Sequence, residues 1–131
     1  MPCHRLASAA RLAVLLVALV ASPAFAATSS TSTGQISVAQ VMDMLDRADG
    51  DRHAGQLLQA YLGGLGESAG VLLNATDAKG RPYVTCSKPM ALNAGLVRDV
   101  LANGAPDNKR WGETAATPLI VSALVSMAGC R

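Results

Sequence analysis

Ala24-Phe25-Ala26 closes the first apolar run of this chain and divides it into a leader and a domain. Ahead of it stand His4, Arg5 and Arg11, an apolar stretch from Leu12 to Val20, and the helix breaker Pro23. A basic start, a short apolar stretch and a small-x-small site mark a secretory signal peptide over residues 1–26. The apolar stretch is shorter than the ~20 residues a membrane-spanning helix needs. The mature chain is therefore expected to begin at Ala27 and to keep no membrane segment after cleavage. Thr28-Ser29-Ser30-Thr31-Ser32-Thr33-Gly34 is polar throughout, so residues 27–36 read as a disordered Ser/Thr-rich tail. Residues 37–131 remain to build one helical domain.

Removal of the leader also takes Cys3, leaving Cys86 and Cys130. Two thiols in an oxidising compartment most simply form one disulfide. Closing a loop of that length stabilises a fold by roughly 4 kcal/mol in the chain-entropy model. The competing reading, a catalytic thiol, needs a base, and His53 is the one histidine left to serve.

The leader carries the charge excess as well, because Arg5 and Arg11 account for the formal net charge of +2. A neutral mature domain offers no electrostatic footprint for nucleic acid or for an anionic membrane surface. Its aromatic residues are Tyr61, Tyr83 and Trp111, so the core must come from Leu, Val, Met and Ala. Helices suit that composition better than a sandwich.

The helical pattern is explicit. Ser37 with Gln40 three residues on is a capping box, and Val38, Val41, Met42, Leu45 and Ala48 recur at helical spacing. Asp51 caps a second helix from about Arg52 to Asn74, with Leu57, Leu58, Tyr61, Leu62, Leu65, Ala69 and Leu72 as its expected buried stripe. Gly55, Gly63, Gly64, Gly66 and Gly70 lie in that helix, each costing up to ~1 kcal/mol relative to alanine. Close helix–helix approach across a glycine face is the favoured explanation, and a break near Gly63-Gly64 is the alternative. Asn93 caps a third helix that Gly104 stops. A fourth is expected from about Glu113 to Ala128, with Pro118 tolerable in its first turn. The expected fold is all-α, a small bundle of four helices, or five, closed by one disulfide.

Several motifs fail on inspection. Gly66-Glu67-Ser68-Ala69-Gly70 matches the G-x-S-x-G nucleophile elbow, yet it sits in a helical pattern rather than at a strand-to-helix turn. The acids Asp43, Asp46, Asp49 and Asp51 suggest a calcium loop, but that register puts Leu45 and Arg47 where oxygen ligands are required. One histidine and two paired cysteines cannot make a zinc site. The chain is expected to have no catalytic set, no metal and no cofactor, and to act by binding. Binding function belongs on loops held by a rigid scaffold. The candidate partner-binding residues are Lys79, Arg81 and Tyr83 in one polar loop and Lys109, Arg110 and Trp111 in another. For Trp111 the competing role is to seal the end of the bundle. A periplasmic stress chaperone is the second functional class, although acid-triggered opening calls for more carboxylates than cations.

Further features carry a resemblance. They are Tyr61-Leu62-Gly63-Gly64 in the second helix, Cys86 followed by Pro89 and a Leu-Val helix, Ala115-Ala116, Ser122-Ala123-Leu124, and Cys130 closing the last helix. From about Val38 to Cys130 their order resembles the Rap/Tai family of type VI secretion amidase immunity proteins. Many members of that family have a second cysteine pair near the positions of Leu45 and Leu58 here. The resemblance implies an all-helical periplasmic protein, often a homodimer, that binds a cognate peptidoglycan amidase effector and blocks its active-site cleft. It implies no chemistry by any residue of this chain.

Overall fold

The computed structural model describes residues 28–131; the expected signal peptide lies outside the described residues. Four α-helices follow in order: α1 (Val38–Arg47), α2 (Arg52–Leu73), α3 (Ala94–Gly104) and α4 (Ala116–Ala128), with a 3-10 turn over Asn108–Arg110. Among the described residues there is no strand, only isolated antiparallel bridges. The protein is a small all-α bundle closed by one disulfide, Cys86–Cys130.

Local chemistry starts each helix. Ser37 Oγ accepts from the Gln40 amide at 3.1 Å while Gln40 Oε1 accepts from the Ser37 amide at 3.0 Å, so the capping box is complete. Asp51 Oδ1 caps α2 through the amides of His53 (2.8 Å) and Ala54 (3.3 Å), which hold its carboxyl below the usual range. Asn93 Oδ1 caps α3 through the Leu96 amide at 2.9 Å. The fourth helix begins at Ala116 rather than Glu113, and no side chain caps it. Pro118 consequently falls at its third position, where no helical partner is lost. Gly129 ends α4 in the left-handed conformation (φ 61°). That positive φ selects glycine, and a Cβ there would also push Ser87 Oγ, 2.5 Å away, from its place.

The core joins α1, α3, α4 and α2 as far as Leu65. Val38, Val41, Val97, Leu101 and Ala116 are fully buried and Ile120 nearly so. Each larger one contributes roughly 1.5–3 kcal/mol relative to exposure. Leu45 of α1 and Leu58 of α2 are both in this cluster. An Arg98–Asp46 ion pair (2.6 Å) ties α3 to α1 at the surface, and Arg47–Asp43 (2.6 Å) spans one turn of α1. Exposed pairs of this kind add little stability.

Three expectations need correction. Residues 28–36 are an ordered strap, not a disordered tail. Thr31 is buried, Ser29 O accepts from Ser37 Oγ at 3.0 Å, and Ile36 O accepts from the Ala116 amide at 2.9 Å. The uncapped start of α4 offers free amides, and Ile36 O of the strap accepts from the first of them, as water would otherwise do. Second, α2 is continuous through Gly63-Gly64, and its glycines do not mediate close packing. A Cβ on Gly63, Gly64, Gly66 or Gly70 would meet nothing within 4 Å; only Gly55 is crowded, at 3.2 Å from Ala48 O. Third, Leu57 and Leu72 of the expected buried stripe are exposed, Leu72 by 70%. For Leu72 the reason is length: α2 has 22 residues and its partner α1 has 10, so the end of α2 runs past it. Leu57 lies in the second turn of α2, where Ala54 and Leu58 carry the buried side and leave it outside.

Candidate partner-binding surface

The loop from Ala75 to Tyr83 is a rigid finger organised by one carboxylate. Asp77 Oδ1 accepts from the amides of Lys79 (2.8 Å) and Arg81 (2.9 Å), and Asp77 Oδ2 accepts from Arg81 Nε (2.7 Å). The Arg81 amide and guanidinium hold the Asp77 carboxyl below the usual range. Backbone bonds from the Asp77 amide to Arg81 O (2.8 Å) and from the Tyr83 amide to Ala75 O (3.1 Å) close the finger, with Gly80 turning it at φ 74°. Its base is fastened to the C-terminus. Thr85 and Arg131 exchange two backbone bonds of 3.0 Å, the Ser87 and Lys88 amides donate to Ala128 O, and Cys86 is bonded to Cys130 between them.

This finger presents Tyr83, 67% exposed, with Lys79 and Arg81 also in solvent. Ordering a free backbone costs roughly 1–2 kcal/mol per residue, and a segment already locked avoids that cost on binding. The other candidate loop is organised differently. Lys109 and Arg110 are exposed on the 3-10 turn, which Asp107 Oδ1 caps through the Lys109 amide at 3.1 Å. Trp111 is half-buried against the core, and its indole N–H donates to Ala105 O at 2.6 Å. Trp111 thus seals the bundle end instead of presenting its ring. Beside it, the Ser32 amide and hydroxyl both donate to Glu113 Oε2 (3.0 and 2.8 Å), which lowers the Glu113 pKa.

The two candidate loops are not brought together. One precedes the start of α4 and the other is tied to its end, ~20 Å apart along a helix of 13 residues. Ser68 is exposed on α2, and His53 lies ~22 Å away along the same helix, out of reach of its hydroxyl. Among the described residues no group of three His, Cys, Asp or Glu could hold a metal ion, and no helix is long and apolar enough to cross a membrane.

Two features escaped the residue-level reading. One is the organising role of Asp77, legible in hindsight as an acid just ahead of Lys79-Gly80-Arg81. The other is a trough of about 550 Å³ between α2 and α4, lined by Tyr61, Leu65, Ala69 and Leu72 on one side and Thr117 and Val121 on the other. The Tyr61 hydroxyl shares a hydrogen bond of 2.9 Å with Thr117 Oγ1, and burial pushes its pKa up against that bond. The trough continues into a narrower recess of about 220 Å³ bounded by Leu73, Val84, Met90 and Val125. Apolar residues on more than one face of α2 were the available signal.

No protein-family model matches the chain, and no curated protein or solved structure matches it.

Proposed function

We propose that this is a periplasmic immunity protein, which binds a peptidoglycan amidase delivered by type VI secretion and blocks it stoichiometrically. The likeness to the Rap/Tai family rests on the motifs from Tyr61-Leu62-Gly63-Gly64 to Cys130, and the all-helical, disulfide-closed bundle agrees with what that likeness implies. The observation that carries the reading is the Asp77-locked finger, which holds Tyr83 and Lys79 in solvent at little ordering cost. A segment of this kind suits insertion into an enzyme cleft, with Tyr83 as the aromatic anchor. No residue of the chain acts chemically in this reading.

Competition between sibling cells tests it. A strain lacking the protein should be lysed by type VI-active siblings, and the wild-type protein should protect it. Tyr83→Ala should lower protection and weaken the complex with the amidase at least tenfold. A deletion strain indifferent to its siblings would retire the immunity reading.

A further inference from the structure

The connection between α2 and α3 runs from Asn74 to Asn93 and carries the finger. None of residues 74–89 is buried, and the core takes the chain up again only through Met90 and Leu92. Apart from bonds to the end of α2, the hydrogen bonds of residues 74–89 to the rest of the described chain all go to Ala128 and Arg131. The Thr85 and Arg131 backbones exchange two of 3.0 Å, and Ala128 O accepts from the Ser87 amide (3.0 Å), the Lys88 amide (3.1 Å) and Ser87 Oγ (3.1 Å). The Cys86–Cys130 bond lies in the middle of this patch. We infer that the disulfide is a redox latch on the finger: oxidised, it fixes the finger against the end of α4, and reduced, it frees the connection while the helical bundle stays folded. Its consequence for partner binding rests on the reading proposed above, whereas the latch itself concerns this chain alone.

The patch without its disulfide is weak. Thr85, Ser87, Lys88 and Arg131 are exposed, so water competes for their backbone groups. Hydrogen bonds of this kind contribute little once the bonds to water are subtracted. Against them stands the conformational entropy of an irregular segment, which falls with every residue fixed. From Pro82 to Pro89 only Val84 and Cys86 are even half-buried. A covalent tie alters that balance because it removes open arrangements without needing further contacts.

The tie is also separate from the two structures it joins. The core cluster contains neither cysteine. On the other side, Asp77 holds the Lys79 and Arg81 amides and the Tyr83 amide donates to Ala75 O, all within the finger. Asp77 therefore sets the shape of the finger and the disulfide its placement.

Reagents can reach the bond, since Cys86 and Cys130 are half-buried between exposed neighbours. Its formation takes two electrons and two protons from the two thiols, and the disulfide of a thiol–disulfide oxidoreductase accepts them and leaves as a dithiol. Such oxidants act in exporting compartments, while the cytosol keeps thiols reduced. A chain in a reducing compartment would carry a finger of the right shape in no fixed position, and binding would bear the cost of placing it. Oxidation after export arms the finger.

The test compares the processed, oxidised protein with the same protein in dithiothreitol, which takes the bond to two thiols and itself becomes a cyclic disulfide. Well below the melting temperature, far-ultraviolet circular dichroism should keep its helical signal on reduction. In proton–nitrogen correlation spectra the amides of Thr85, Ser87, Lys88 and Arg131 should move to random-coil positions, while those of Lys79 and Arg81 keep their shifts. Reoxidation with oxidised glutathione should restore them, and Cys86→Ser with Cys130→Ser should reproduce the reduced spectrum without reductant. Loss of the helical signal overturns the inference, because the bond is then a staple of the whole fold. An unchanged patch overturns it too, because the backbone bonds then suffice, and so does loss of the Lys79 and Arg81 shifts, because shape would then depend on the bond. Between siblings, the double variant at equal abundance by immunoblot should protect at least tenfold less than the wild type. Full protection by that variant overturns the control of binding. If the wild type itself fails to protect, immunity is retired and the spectra alone decide the latch.

Discussion

Filling the bare face of α2 should make the protein more stable, not less. Gly63, Gly64 and Gly66 lie inside a continuous helix, and a Cβ on any of them would meet nothing within 4 Å. Alanine therefore adds no clash, while each replacement removes the backbone entropy that glycine loses in a helix, roughly 0.8–1 kcal/mol. The three together should add about 2–3 kcal/mol. For a domain of this size each kcal/mol raises the melting temperature by roughly 4–8 °C, so the triple variant should melt roughly 10–20 °C higher. Thermal unfolding followed by far-ultraviolet circular dichroism, with the disulfide intact, reads this directly. Gly55→Ala is the internal control: its Cβ would stand 3.2 Å from Ala48 O, so it should gain far less or lose stability. A loss of stability in Gly63→Ala or Gly64→Ala would refute the reasoning, because the helix would then be broken there or that face covered in the free protein.

Removing the disulfide by Cys86→Ala should cost roughly 2–5 kcal/mol in denaturant unfolding, since the bond closes a separation of 44 residues. Trp111→Ala should lower stability by about 3 kcal/mol through lost packing and the indole bond to Ala105 O, while Trp111→Phe should lose about 1 kcal/mol from the bond alone. For the finger, Asp77 has a folded-state pKa below its ordinary 3.8, so its contribution is complete above that value and is lost as pH falls through the lowered one. Exchange of the Lys79 and Arg81 amides should therefore accelerate as pH drops below about 4, once the intrinsic pH dependence is removed, and Asp77→Asn should show accelerated exchange at neutral pH. Ser32 should follow the same course through Glu113, whose carboxyl its amide and hydroxyl hold low.

Helix starts and fold class were legible in the residues because they depend on near neighbours. Ser37 with Gln40, Asp51 with the amides of His53 and Ala54, and Asn93 with Leu96 are contacts within four positions, and any fold containing these helices satisfies them alike. The bond between Cys86 and Cys130 was legible for a different reason: once Cys3 leaves with the expected leader, each has one partner in the mature chain. Exposure of an apolar side chain has no such local determinant. Leu58 and Leu72 occupy equivalent positions in the periodic pattern, and one is buried while the other is 70% exposed. That outcome depends on where α1 ends in space, which no spacing within α2 records. The same holds for Trp111, whose indole found Ala105 O when the turn folded back on α3, and for the strap, whose Ile36 O meets the first amide of α4, a helix without a side-chain cap of its own. Local hydrogen-bond chemistry and pairing are written along the chain, whereas the apolar surface left open at the end of α2 arises from the unequal lengths of helices packed side by side.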